Sequence, residues 1–169
     1  TRIYSPIGLV KQFDHAITAE LDFLAEADNA KRFAENFDGD PYVRFPEVHG
    51  GASSKQVLTL QFLPGVKVNQ CVEHGHSGRL IARLAFRAMM KQIYEDGFFH
   101  ADPHPGNVLV GGSPEAPRIG FIDLGMVGRL SPRMRELTVD VVMACLRKAS
   151  DGIADALYTM GSPTKKIDK

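Results

Sequence analysis

Residues 100–125 constrain this chain more than any other stretch. His100-Ala101-Asp102-Pro103-His104-Pro105-Gly106-Asn107 leads into the apolar run Val108–Val110, a Gly/Pro-rich link, and a second run, Ile119–Ile122, that stops at Asp123-Leu124-Gly125. Two short apolar runs joined by turn residues read as a pair of strands in a hairpin. The prolines restrict the loop before them, and Gly106 permits a tight approach to Asn107. A loop stiffened in this way suits side chains that must be held at fixed geometry.

The rest of the chain alternates helix and strand patterns. Phe13, Ile17, Leu21 and Leu24, then Phe33 and Phe37, recur at helical spacing and predict one long helix from about Ile7 to Phe37. Phe37-Asp38-Gly39-Asp40-Pro41 should stop it. Strands are expected at Tyr42–Phe45 and Val57–Phe62, parted by the turn Gly50-Gly51-Ala52-Ser53-Ser54, with Pro64-Gly65 ending the second. A second amphipathic helix is expected over Ser77–Asp96, capped by Gly97. Ser131-Pro132 marks a helix start, since Ser caps free N–H groups and Pro fits the first turn. That helix should end near Ser150, with a short one following to Met160 and a frayed polar tail from Ser162.

Composition narrows the function. The chain of 169 residues can bury one good core. Its 20 basic and 20 acidic residues cancel, and no polybasic tract occurs, which argues against nucleic acid as a partner. Cys71 and Cys145 sit apart in apolar surroundings and read as two buried thiols in a reduced compartment. No apolar run approaches the ~20 residues needed to span a bilayer, so a soluble chain is expected.

An Asp, an Asn five residues later and an Asp closing an apolar run form a chemically specific set. Phosphoryl-transfer enzymes of the protein-kinase type use one Asp to take up or orient the nucleophile's proton, and the Asn and second Asp to hold Mg²⁺ against nucleotide phosphates. Asp102, Asn107 and Asp123 are the candidates. Singly, each has a plainer explanation: an Asx-turn for Asp102 or Asn107, an exposed strand-end carboxylate for Asp123. His100 and His104 flank Asp102, but no Cys or Glu nearby completes a zinc set. His100 is expected to pack and bond the loop, and His104 to lie near the phosphates. Glu20, Asp22 and Glu26 form an acidic cluster upstream, with Asp22 and Glu26 on one helical face. Kinases place a glutamate on such a helix to orient a phosphate-gripping lysine, and Glu26 is the candidate; a solvated acidic stripe is the alternative. Lys11 does not serve as that lysine, because it falls in the same helical pattern and no glycine-rich loop precedes it.

These segments carry a resemblance. Glu20-Leu21-Asp22-Phe23-Leu24-Ala25-Glu26-Ala27 through Phe33 resembles the acidic-helix signature of the UbiB/ADCK family of atypical protein-kinase-like proteins, linked to ubiquinone biosynthesis. Gly97 to Asn107 and Phe121 to Gly125 resemble its loop and metal motifs, in the same order and spacing. The resemblance implies an α+β, protein-kinase-like fold: residues 1–64 as a partial N-lobe running to the hinge, and 65–169 as a mostly helical C-lobe. It implies that Asp102 and Glu26 are catalytic, that Asn107 and Asp123 hold Mg²⁺, and that Glu20 and Asp22 are the acidic motif. Gln61, Phe62 and Leu63 would be the hinge that meets adenine, with His104 beside the nucleotide. ATP and Mg²⁺ are the cofactors implied. The resemblance further implies a lipid or quinone precursor as partner, and a membrane surface reached through family segments that this sequence lacks, in the bacterial cytoplasm at the inner membrane, or in a mitochondrion or plastid.

The family's Lys-x-Gly-Gln extension, alanine-rich loop and nucleotide lysine have no match in this sequence, so weak nucleotide binding or an inactive fragment is an expectation to set beside catalysis. Only seven residues, Gly125–Ser131, separate Leu124 from Pro132, too few to seat a peptide. ATP hydrolysis or a small or lipid-like acceptor is therefore expected. Two other readings compete. A small-molecule phosphotransferase of the aminoglycoside or choline kinase type would share the Asp–Asn–Asp spacing but not the acidic cluster. A pseudokinase scaffold would bind Mg-ATP without turnover.

Overall fold

The computed structural model describes residues 22–161, together with Gly8, Val10 and Phe13. Helix α1 spans Phe23–Asn36. The long helix expected from residue 7 does not run unbroken into it. Asp22 has non-helical φ −101° and ψ 84°, and its Oδ1 accepts the Leu24 N–H at 3.2 Å. A carboxylate offered to a free first-turn N–H favours a helix start over a helix interior. Apart from three residues, the expected segment upstream lies outside the described residues, as does the polar tail. The apolar stripe of α1 buries Ala27, Ala30 and Phe33, and Asn29 is buried among them.

By its contacts the chain divides into two compact units. The first comprises residues 1–88 and 100–127. It holds a four-stranded sheet with strand order β1-β5-β4-β2. Strand β1 is Val43–Arg44 and β2 is Val66–Lys67. The expected hairpin is present and longer than its apolar cores: β4 is Val108–Ser113 and β5 is Ala116–Phe121, paired antiparallel from Val108↔Phe121 to Ser113↔Ala116. Strand β1 adds in parallel to β5, Val43 opposite Ile119. Strand β2 adds antiparallel to β4, Val66 opposite Val110. This edge strand requires close backbone approach: a Cβ on Gly65 would stand 2.7 Å from the Val110 carbonyl oxygen.

No strand forms over Val57–Phe62. Gln61 N–H donates to the Glu47 carbonyl at 2.8 Å and His49 N–H to the Thr59 carbonyl at 2.9 Å, around an isolated bridge between Val48 and Leu60. The pairing stops there because Gly50–Ala52 winds directly into a 3₁₀ turn.

The core of this unit is aromatic. Phe45 stacks on Phe33 at 4.9 Å between ring centroids and on Phe121 at 5.5 Å, while Phe37 meets it tilted at 5.3 Å. Helix α1, the segment after β1 and the end of β5 are thus joined through one ring. Helix α2, Gly78–Met90, contributes Ile81, Leu84 and Ala88 to the buried set. Near its end Arg87 Nη2 donates to both Asp40 carboxylate oxygens, at 2.6 and 2.9 Å.

The second unit comprises residues 89–99 and 128–169. The helical pattern continues past α2 as a π-turn, Lys91–Asp96, and ends at Gly97 with φ 61°. That left-handed value favours glycine, and a Cβ there would lie 2.8 Å from the Leu130 carbonyl oxygen. Arg135 Nη1 donates to the Glu95 carbonyl at 2.6 Å, satisfying a free acceptor at the end of the turn. Residues of β3, Phe98–His100, and β6, Val127–Arg129, form a two-stranded sheet. Helix α3 is Pro132–Leu146, and the Ser131 side chain accepts the Met134 N–H as expected. Helix α4, Ser150–Met160, packs on α3. Cys71 is buried, but Cys145 is exposed, contrary to the expectation of two buried thiols. The reason is that α3 buries none of its side chains.

Candidate functional site

The loop after β3 is built by its own side chains. His104 Nδ1 accepts the Gly106 N–H at 3.0 Å and so caps the 3₁₀ turn Pro105–Asn107. With Nδ1 accepting, the ring proton belongs on Nε2, which faces Asp102 Oδ2 at 3.6 Å. His100 is buried, as expected, with its ring edge-on to Phe121. Its Nδ1 lies 3.4 Å from both the Met126 carbonyl and the Asp102 N–H. Burial pushes the His100 pKa down, against the raising effects of the Met126 carbonyl, Asp123 and Asp102.

Asn107 joins the loop to the strand end. Its backbone carbonyl accepts the Ile122 N–H at 2.9 Å. Its Nδ2 donates to Asp123 Oδ2 at 3.3 Å and reaches the Asp102 carbonyl at 3.5 Å. Neither partner is the residue two positions on, so the local Asx-turn does not account for this side chain. Asp123 takes a left-handed φ of 59°, a conformation Asp tolerates better than most residues. Such a value at a strand end turns its carboxylate away from the ladder.

Helix α1 reaches the same place. Glu26 Oε1 accepts the Leu124 N–H at 2.9 Å, and Asn29 Nδ2 donates to the Leu124 carbonyl at 2.9 Å. Burial pushes the Glu26 pKa up; the Leu124 N–H opposes this, and the charge of Asp123 adds to it. Glu26, Asp102 and Asp123 line one cavity of about 420 Å³, together with Phe23, Gly125 and Met126. No Lys or Arg is among these lining residues. Among the described residues, no group of three or more His, Cys, Asp and Glu side chains forms a metal cage. An ion held here would have to complete its shell with oxygens from outside the described residues.

The structure therefore gathers Glu26, Asp102, Asn107 and Asp123, with His104 against Asp102. Gln61, Phe62 and Leu63 line a different cavity of about 230 Å³, with Arg44, Leu109 and Arg118. Phe62 is 85 % exposed there. Asp22 is the cap of α1 and does not line the carboxylate cavity. Glu20 lies outside the described residues. Sequence reasoning missed Asn29: a polar residue within a buried helical stripe was the available signal.

Comparison with known proteins identifies the family. The profile of the ABC1 atypical kinase-like domain matches residues 2–157. An uncharacterized protein of Synechocystis sp. is 35 % identical over 92 % of this chain and 27 % of its own length. The chloroplastic protein Activity of BC1 complex kinase 8 of Arabidopsis thaliana is 37 % identical over 84 % of this chain and 19 % of its own length. A probable protein kinase UbiB of Sodalis glossinidius is 35 % identical over 75 % of this chain and 24 % of its own length. The chain thus spans about a quarter of the curated relatives it matches. In structure it resembles Rv3197 from Mycobacterium tuberculosis, solved with erythromycin, at a TM-score of 0.74 over 99 % of this chain and 43 % of that one, with 23 % identity. The fold is protein-kinase-like and α+β, and the chain belongs to the ABC1 atypical kinase-like domain family, whose members include UbiB proteins.

Proposed function

We propose that this domain binds a magnesium nucleotide and directs phosphoryl transfer to water or to a small or lipid-like hydroxyl. The observation that carries the reading is the cavity shared by Glu26, Asp102 and Asp123, with no basic residue lining it among the described residues. Neighbouring carboxylates resist ionising together unless a cation lies among them. Mg²⁺ suits such a place, because it takes one or two protein carboxylates and fills the rest of its shell with phosphate oxygens and water.

Asp123 would hold the ion through its carboxylate and Asn107 through its amide oxygen. When bound, the metal nucleotide supplies the phosphoryl group and neutralises the charge that builds on it. Asp102 orients the attacking hydroxyl and receives its proton. The His104 Nε2–H, 3.6 Å from Oδ2, favours leaving Oδ1 for that proton. Gln61, Phe62 and Leu63 meet adenine through their backbone. Only the seven residues Gly125–Ser131 separate Leu124 from Pro132, a short segment that favours a small acceptor over a peptide. The family resemblance adds the setting: ubiquinone or other isoprenoid-lipid metabolism.

Calorimetric titration of the protein with a non-hydrolysable ATP analogue tests this. Binding should require Mg²⁺ and be lost in Asp123→Asn, while Asp102→Asn should bind and fail to turn over ATP. Equal binding without Mg²⁺, or a fully active Asp102→Asn protein, would contradict it.

A further inference from the structure

Leu124 is held on both sides of its Cα by one helix, and nothing in the phosphoryl-transfer chemistry requires this. Its N–H donates to Glu26 and its carbonyl accepts from Asn29, each at 2.9 Å. The acceptor Glu26 and the donor Asn29 lie on α1, nearly one turn apart, whereas Leu124 is 98 and 95 residues away along the chain. The Leu124 side chain is itself 1 % exposed, so the residue cannot shift without opening the core. Directly before it, Asp123 sits at φ 59°, in the left-handed region that its surroundings help to hold.

We propose that Asn29 is a positioning residue for the cation site: by anchoring the Leu124 carbonyl it fixes the Leu124–Gly125 peptide and, with Glu26 on the Leu124 N–H, pins the backbone on both sides of the Leu124 Cα, and so the direction of the neighbouring Asp123 carboxylate. This rests on the magnesium-nucleotide reading and names what regulates the quality of that site. Asn29 is 8 % exposed and does not line the cavity, so it acts through Leu124 and touches no ligand. Glu26 and Asn29 divide the labour by polarity. Glu26 also faces the cavity and can exchange the Leu124 N–H for another partner, whereas Asn29 has its Nδ2 committed to the carbonyl. With the Asn29 bond in place, the loop keeps its shape when Glu26 is engaged elsewhere. Any movement of α1 is thereby read out at Asp123.

The near-isosteric Asn29→Asp removes the donor and sets an oxygen against the Leu124 carbonyl. Asn29→Leu removes it without burying a charge, and serves if the aspartate variant does not fold. Both are titrated with Mg²⁺ at fixed nucleotide analogue, beside thermal melting. The half-saturating Mg²⁺ concentration should rise about tenfold or more, the range seen when groups that orient metal ligands are lost. At saturating Mg²⁺ the affinity for the nucleotide analogue should stay near that of the wild type. A lower melting temperature with unchanged Mg²⁺ half-saturation in the folded variants would mean a purely structural role, and would overturn the proposal alone. A wild-type protein that shows no Mg²⁺ dependence would overturn the functional reading, and the proposal with it.

Discussion

Asp40 shows how much one side chain can join without taking part in any chemistry. Its Oδ1 accepts the N–H groups of Tyr42 and Val43 at 2.8 and 3.0 Å, ending the turn after α1, and Arg87 grips both oxygens from α2. Burial works against its charge, yet the Tyr42 N–H, the Arg87 guanidinium and the Val43 N–H together hold its pKa below the usual 3.8. The sign follows: this contribution is complete above pH 3.8 and is lost as pH falls through the lower folded value. Asp40→Asn should cost about 1 kcal/mol in urea unfolding at neutral pH, since Arg87 is half exposed, and the difference from wild type should vanish in acid. His100 works in the same direction along the pH axis, in a higher window. Burial holds its folded pKa below 6.5, so the unfolded chain takes up the proton first. Stability should fall as pH drops below 6.5 until the folded value is passed, and His100→Gln should flatten that slope.

Among the elements, the hairpin and the helix ends were legible in the sequence, because their signals are local. Gly97 and Ser131-Pro132 mark their caps through the residues' own conformational limits. Gly97→Ala should destabilise by about 1 kcal/mol or more in thermal melts, from the left-handed φ and the 2.8 Å approach to Leu130. The start of α1 was not legible: the apolar rhythm runs straight across Asp22, and only its bond to Leu24 N–H shows the break. The edge strand β2 is two residues long and leaves no periodic trace. The candidate site divides the same way. Asp102, Asn107 and Asp123 were readable because one loop and one hairpin bring them together. The Asn29–Leu124 bond was not, since its partners are 95 residues apart and meet only through tertiary packing. That packing depends on the ring stack, in which Phe33 is fully buried. Phe33→Ala should cost about 3–5 kcal/mol and should also weaken Mg²⁺-dependent binding, because α1 carries Glu26 and Asn29.

Across the molecule, stability should be uneven. Strand β5 buries Pro117, Ile119, Gly120 and Phe121, whereas α3 buries no side chain and α4 buries Ala156 alone. Amide exchange should therefore release α3 and α4 well before β4 and β5. Val142, Met143 and Leu146 leave apolar surface on α3, yet among the described residues no helix is long and apolar enough to cross a membrane. The proposed function turns on the carboxylate cavity, where α1, the loop after β3 and the end of β5 meet. Mn²⁺ substituted for Mg²⁺ in the presence of an ATP analogue reports on that meeting point by paramagnetic broadening of amide NMR signals. The account predicts early loss of the Asn107, Asp123 and Leu124 signals while those of the far hairpin turn, Ser113–Ala116, persist. Broadening centred elsewhere, or spread evenly over the chain, would contradict it.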